Sequence, residues 1–256
     1  MFDAVSAGEL GSYQIVDDIA PELIEVMPPP GATVRELKRL RFFFSKPIAG
    51  FDVEDIRVNG QTPIAVSGFA DGPWEVRLDE IKSGKVNVTW ANDHGIADCA
   101  PKPNVFDAGN WSYTVDANHS PGNVVINEFL ASNQTGLADE DGQAADWIEL
   151  RNTGKSSVDL AGWSLTDEKS RPGKWTFPAV SIGSGDYLLV FASGKNRRDS
   201  SGKLHTNFKL GSGGNYLGLF SPELPRQAVD KISPKYPEQR NDISYGLSAT
   251  DQWVYF

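Results

Sequence analysis

The chain has 256 residues, 39% of them hydrophobic and 23% charged, a globular balance that excludes disorder over most of its length. A net charge of −10 and a pI near 4.8 repel phosphate backbones and anionic lipid, so nucleic acid is not an expected partner. The lone cysteine, Cys99, permits no intrachain disulfide, no Cys/His spacing fits zinc, and no apolar run reaches the roughly 18 residues that would insert into a membrane.

Residues 1–20 read as a lead-in segment. "MFDAVSAGELGSYQ" lacks the basic start and apolar centre of an intact signal peptide. "TVRELKRLRFFF" is the best helical candidate, but its helical period fails in the second half, and Arg39, Arg41 and Phe42–Phe44 read as a strand. "VEDIRVNG", "WEVRLDE", "KVNVTW" and "WSYTVD" follow, separated by Gly, Pro, Asn and Asp. In "KVNVTW", Val86, Val88 and Trp90 alternate with polar neighbours at a period of two. Asn59-Gly60 suits a turn that needs positive φ. Turn signals about every 8 to 12 residues predict a β-sandwich.

"DANHSPGN", Asp116 to Asn123, is polar and contains Pro-Gly, which places a domain boundary there and predicts restricted bending through Pro121. Strand patterns then resume in "VVINEFLA", "DWIELRN", "VDLAGWSL", "WTFPA", "DYLLVFAS" and "NYLGLFS". The reading is all-β, with two sandwich domains in tandem over 21–117 and 121–256. The terminal "DQWVYF" alternates like a strand and ends on an aromatic without a closing turn, so a piece of a longer protein is expected.

The first half, in "MPPPGATVRELKRLRFFFSKPIAGFDVEDIRVNG" and "VTWANDHGIADCAPKPNVFDAGNWSYTVD", resembles the immunoglobulin-like modules of large bacterial exported proteins. The second half resembles the lamin tail domain, most closely its bacterial branch. The resemblance rests on "NVVINEFLASN", "DWIELRNTG", "VDLAGWSLTD", "KWTFP", "IGSGDYLLVFASG" and "LHTNFKLGSGGNYLGLF", in the family's order, and "YPEQRNDISYG" is similar to an extension of the bacterial branch. It implies immunoglobulin-like folds in both halves, an extracellular or cell-envelope setting, and other domains of the parent protein as neighbours. Without sustained heptads, a nuclear filament role is not implied.

"LADEDGQAADWIEL" crowds Asp139, Glu140, Asp141, Asp146 and Glu149 into one short stretch. Read as a strand, it puts Trp147 and Glu149 on one face, and Asp146, Ile148 and Leu150 on the other. With Gly142 at position 6 of an EF-hand, Leu137 and Ile148 fall at positions 1 and 12, and both fail. Two readings stay open: an acidic solvated turn feeding the strand, or a simpler calcium site built from Asp139, Asp141 and Asp146. Catalytic carboxylates are a third and weaker reading, since any acid pair in so acidic a chain matches by chance. "GSGG" at 211–214 lacks the Lys-Ser/Thr of a phosphate loop and reads as a hairpin turn. Lys195, Arg197, Arg198 and Lys203 form a basic loop in "ASGKNRRDSSGKLH", read as solvated, with an anionic glycan or acidic domain as the functional alternative. Cys99 reads as a partly buried small apolar residue.

These readings predict a non-catalytic spacer, docking or adhesion module with an unidentified protein or glycan ligand. They predict no enzyme activity and no cofactor other than candidate calcium. The alternative is a carbohydrate-binding accessory module of a secreted enzyme, for which two or more exposed Trp or Tyr in a cleft would be the sign.

Overall fold

The structure, a computed structural model, describes residues 17–107, 109–119 and 123–256. Most of the lead-in, and Pro121 of the boundary segment, lie outside these residues. Among the described residues there is no helix.

The first half comprises β1 (Leu23–Met27), β2 (Thr33–Val34), β3 (Arg39–Phe44), β4 (Ile48–Ala49), β5 (Ile56–Val58), β6 (Ala65–Ser67), β7 (Trp74–Arg77), β8 (Gly84–Trp90), β9 (Ala97–Asp98) and β10 (Trp111–Val115). Two four-stranded sheets, ordered β1-β3-β7-β6 and β2-β10-β8-β5, are accompanied by the separate small β4-β9 pair. Period-two alternation sends Leu40, Phe42 and Phe44 from one sheet, and Val86, Val88 and Tyr113 from the other, into a shared core. The stretch that fails as a helix is therefore β3, at the centre of this packing. Asn59 and Gly60 both take positive φ, 52° and 78°, and close a two-residue hairpin between Val58 and Gln61, as the asparagine-glycine pair predicts.

The second half contains β11 (Val124–Leu130), β12 (Trp147–Asn152), β13 (Val158–Asp159), β14 (Ser164–Thr166), β15 (Trp175–Thr176), β16 (Ser181–Ile182), β17 (Tyr187–Phe191), β18 (Leu204–His205), β19 (Leu217–Phe220), β20 (Ala228–Ile232), β21 (Tyr245–Leu247) and β22 (Trp253–Tyr255). A six-stranded sheet, β18-β17-β12-β11-β21-β22, faces a four-stranded one, β15-β14-β19-β20, with β13-β16 at the side. Ile126, Phe129, Ile148, Leu150 and Val190 meet Leu165, Trp175, Leu217 and Leu219 between them. The strand β12 alternates as expected, with Ile148 and Leu150 buried and Trp147 and Glu149 partly exposed. The turn at "GSGG" carries a Gly214 N–H to Gly211 O bond of 3.1 Å and leads to β19 without a helix. The C-terminal residues are integral: Tyr236 is fully buried, and β21 pairs with β11 through Glu128↔Gly246.

No strand pairs across the 116–123 segment among the described residues. The two halves nevertheless touch. Glu223, buried behind β19, accepts from Arg35 at the main-chain nitrogen (2.9 Å) and at the guanidinium Nη2 (3.1 Å).

Candidate functional site

The residues with the richest chemistry lie where the loop before β12 meets the loop between β17 and β18. The acidic loop closes on itself first. Gly142, at φ 75°, lets its N–H reach Asp139 O (3.1 Å) while Asp139 N–H donates to Gln143 O (2.9 Å). Asp139 Oδ1 also accepts the amides of Asp141 (3.0 Å) and Gln143 (3.1 Å). Its carboxylate points inward and is fully buried.

The basic loop lies over this turn. The Lys195 ammonium donates to Asp139 and, at 2.6 Å, to Asp141. Arg197 pairs with Glu140 and, at 2.7 Å, with Asp141. The two loops that the sequence suggests are solvated thus neutralise each other in a tertiary latch.

Electrostatics follow from this pairing. Burial pushes the Asp139 carboxyl up, but Lys195 and the Gln143 and Asp141 amides outweigh it, and the net shift is downward. Glu140 is held at about 2 by its own main-chain amide, then by His205, with Arg197 also contributing. Asp141 is held at about 2 by Arg197 and Lys195. Asp146 and Glu149 go the other way, both raised by burial.

The structure brings Asp139 and Asp141 together on Lys195, while Asp146 accepts from the Asn133 amide at 3.1 Å. Among the described residues no group of three or more His, Cys, Asp or Glu is arranged to hold a metal ion. The point between the Asp139 and Asp141 carboxylates is occupied by an ammonium.

Sequence reasoning missed a second feature. His205, fully buried, faces Ser193 Oγ through Nδ1 at 2.8 Å and Glu140 through Nε2 at 2.9 and 3.0 Å. With Glu140 ionised, Nε2 turns a proton toward it, and Nδ1 lies in hydrogen-bond contact with the Ser193 hydroxyl. The order hydroxyl–imidazole–carboxylate is that of a nucleophile, its base and its orienting acid. Its setting is structural. The imidazole is closed to solvent and stacks on Phe191, Glu140 is committed to Arg197, and Ser193 Oγ accepts the Lys195 amide at 3.2 Å. No local residue pattern could reveal this chain, because Glu140 comes from the loop before β12, whereas Ser193 and His205 come from just past the end of β17 and from β18.

Three further expectations meet the structure here. Cys99 is exposed, not partly buried, because it follows β9 into a surface loop. Trp74, Trp163 and Trp175 are buried, and Trp90 and Trp111 pack against the first core. The exposed tyrosines Tyr187 and Tyr255 sit on β17 and β22, separated by three strands of the sheet.

Fold and site together define an all-β protein of paired sandwiches, with an ionic latch between two loops of the second. Residues 117–235 match the profile of the Lamin Tail Domain family, and the second half is similar to a lamin tail domain over that span. That family is a non-enzymatic immunoglobulin-like module. No curated protein matches the chain. In the structure the domain runs past the matched residues, since β21 and β22 complete its larger sheet.

Proposed function

We propose that the chain is a structural and docking element, a spacer within a larger exported or cell-envelope bacterial protein. The observation that carries this is the way its ionic groups are used. Lys195, Arg197, Asp139, Asp141 and Glu140 fasten one loop to another, and Arg35 and Glu223 fasten one domain to the other. Such side chains stiffen a module without supplying a reactive centre. A spacer needs this property, because a stiff module fixes the distance between its neighbours.

The test is an antibody raised against this chain and applied to intact cells of the source, then to lysed cells. Binding to intact cells is expected. Detection only after lysis, in the cytosolic fraction, would remove the exported setting and with it this reading.

A further inference from the structure

A cleft of about 230 Å³ opens at the domain junction, with walls from both halves. Four cationic side chains line it, Arg41 from β3 and Lys174, Arg198 and Arg226 from the second domain, against one acid, Glu25. In a chain of net charge −10 this is a local reversal of sign. Two of the cations are already compensated. Arg41 pairs with Glu75 at 3.3 Å, and Lys174 with Asp167 at 2.6 Å. Among the described residues no carboxylate lies within salt-bridge distance of Arg198 or Arg226.

Arg226 carries the argument. Its Nη1 donates to Gly162 O (2.8 Å) and Ser221 O (3.1 Å), and its Nη2 approaches Met27 Sδ at 3.4 Å. A guanidinium has five N–H donors. The Nε–H and one Nη2–H therefore have no acceptor among the described residues. Glycine at 173 makes room for this group, since a Cβ there would stand 3.0 Å from Nε. Carbonyls and a thioether satisfy donors but do not neutralise charge, so the partly buried Arg226 guanidinium keeps its charge uncompensated and its free donors turned to the solvent-filled cleft. Burial accordingly draws the Arg226 guanidinium down to about 10, with Glu25 acting against that and Arg41 adding to it.

We propose that this junctional cleft binds an oxyanion, a sulfate or carboxylate group, on the free N–H donors of Arg226 with Arg198 and Arg41 beside it. A planar guanidinium fork matches such groups in two-point contact, and the cleft's volume suits a small ion or one acidic sugar unit, not a larger ligand. The oxyanion can be a free ion or the acidic group of a saccharide. The Asn196 and Asn207 amides in the same wall provide polar partners for either.

The experiment follows tryptophan fluorescence and calorimetric heat on titrating the whole chain. The titrants are sodium sulfate against chloride at constant ionic strength, and galacturonic acid against galactose. The variants Arg198→Gln and Arg41→Gln change one partly or fully exposed side chain in each domain and leave the Arg226 contacts alone. Saturable binding of sulfate or galacturonate, absent for chloride and galactose and weakened about tenfold in both variants, is the expected result. Binding of sulfate alone would identify a free ion as the source, and binding of galacturonate alone a saccharide. No saturable binding, or binding that both variants retain unchanged, would overturn the proposal.

Discussion

At the residue scale, the acidic loop is defined by what holds its charges. Calcium favours several oxygen ligands free to converge, but here Lys195 already bridges Asp139 and Asp141. To bind, calcium must displace an ammonium that is tethered in place. The wild-type midpoint is therefore expected to be the same in millimolar calcium as in chelator. In the double variant Lys195→Gln/Arg197→Gln, which vacates both carboxylates, the second domain's midpoint should rise with calcium. Thermal scans of both proteins decide this, and a calcium-dependent shift in the wild type would favour the metal reading of Asp139, Asp141 and Asp146. The same latch fixes a pH response. Asp139, Glu140 and Asp141 all have folded values below their ordinary range, about 2 for the latter two. Their contribution is complete above the unfolded carboxylate values of about 4 and is lost as pH falls toward the folded ones. Asp146 and Glu149, raised by burial, act oppositely and are relieved by protonation first. Denaturant midpoints should therefore drop between about pH 4 and 2, and Arg197→Gln should flatten that slope. An unchanged slope would mean that the latch is not formed in solution.

At the element scale, β12 shows how much local pattern can specify. Its apolar side chains and its last residue, Asn152, share one buried face. Asn152 is fully buried, donates to Ser156 O (2.8 Å) and Ile182 O (3.0 Å), and accepts from Gly154 N–H at 2.9 Å. One amide thus closes the loop after β12 and ties it to β16. Asn152→Ala should cost about 2–3 kcal/mol, because the groups it leaves behind are partly shielded from water. Urea unfolding measures this, and a loss below about 0.5 kcal/mol, the range of ordinary surface changes, would deny Asn152 that role. The strand itself was legible, as were β3 and the Asn59-Gly60 hairpin, because alternation and turn chemistry are local properties. The ionic latch was not. Asp139 and Lys195 are brought together only by the β12–β17 pairing, and a loop rich in one charge looks solvated until its partner is placed. The Ser193–His205–Glu140 chain was hidden for that reason too, and so was the junctional cleft, whose cations come from opposite halves.

At the scale of the whole molecule, the question is whether two sandwiches behave as one body. Strand pairing gives no continuity between them, so their coupling rests on side chains. Among the described residues, Arg35–Glu223 is the salt bridge that crosses between the two sandwiches. Glu223 is buried, and it engages the Arg35 main-chain amide as well as the guanidinium at Nη2 (3.1 Å) and Nε (3.3 Å). A carboxylate that accepts both main-chain and side-chain donors from one residue fixes an angle, not merely a distance. Gly162 closes in on Pro29 nearby, where a Cβ would come within 2.7 Å of the ring, so the surfaces meet without room for a side chain. Arg35→Gln removes the charged fork while leaving Glu223 and the second core intact. The wild type is expected to scatter as a single rigid particle and to unfold with coupled transitions. The variant should show a larger radius of gyration and two separable transitions, since an interface of this kind holds only while its polar anchors do. Identical scattering curves for the two proteins would show that apolar contact alone holds the junction. A wild type that already scatters as two freely jointed bodies would remove the rigid spacer altogether, and with it the geometry that places Arg41 opposite Arg226.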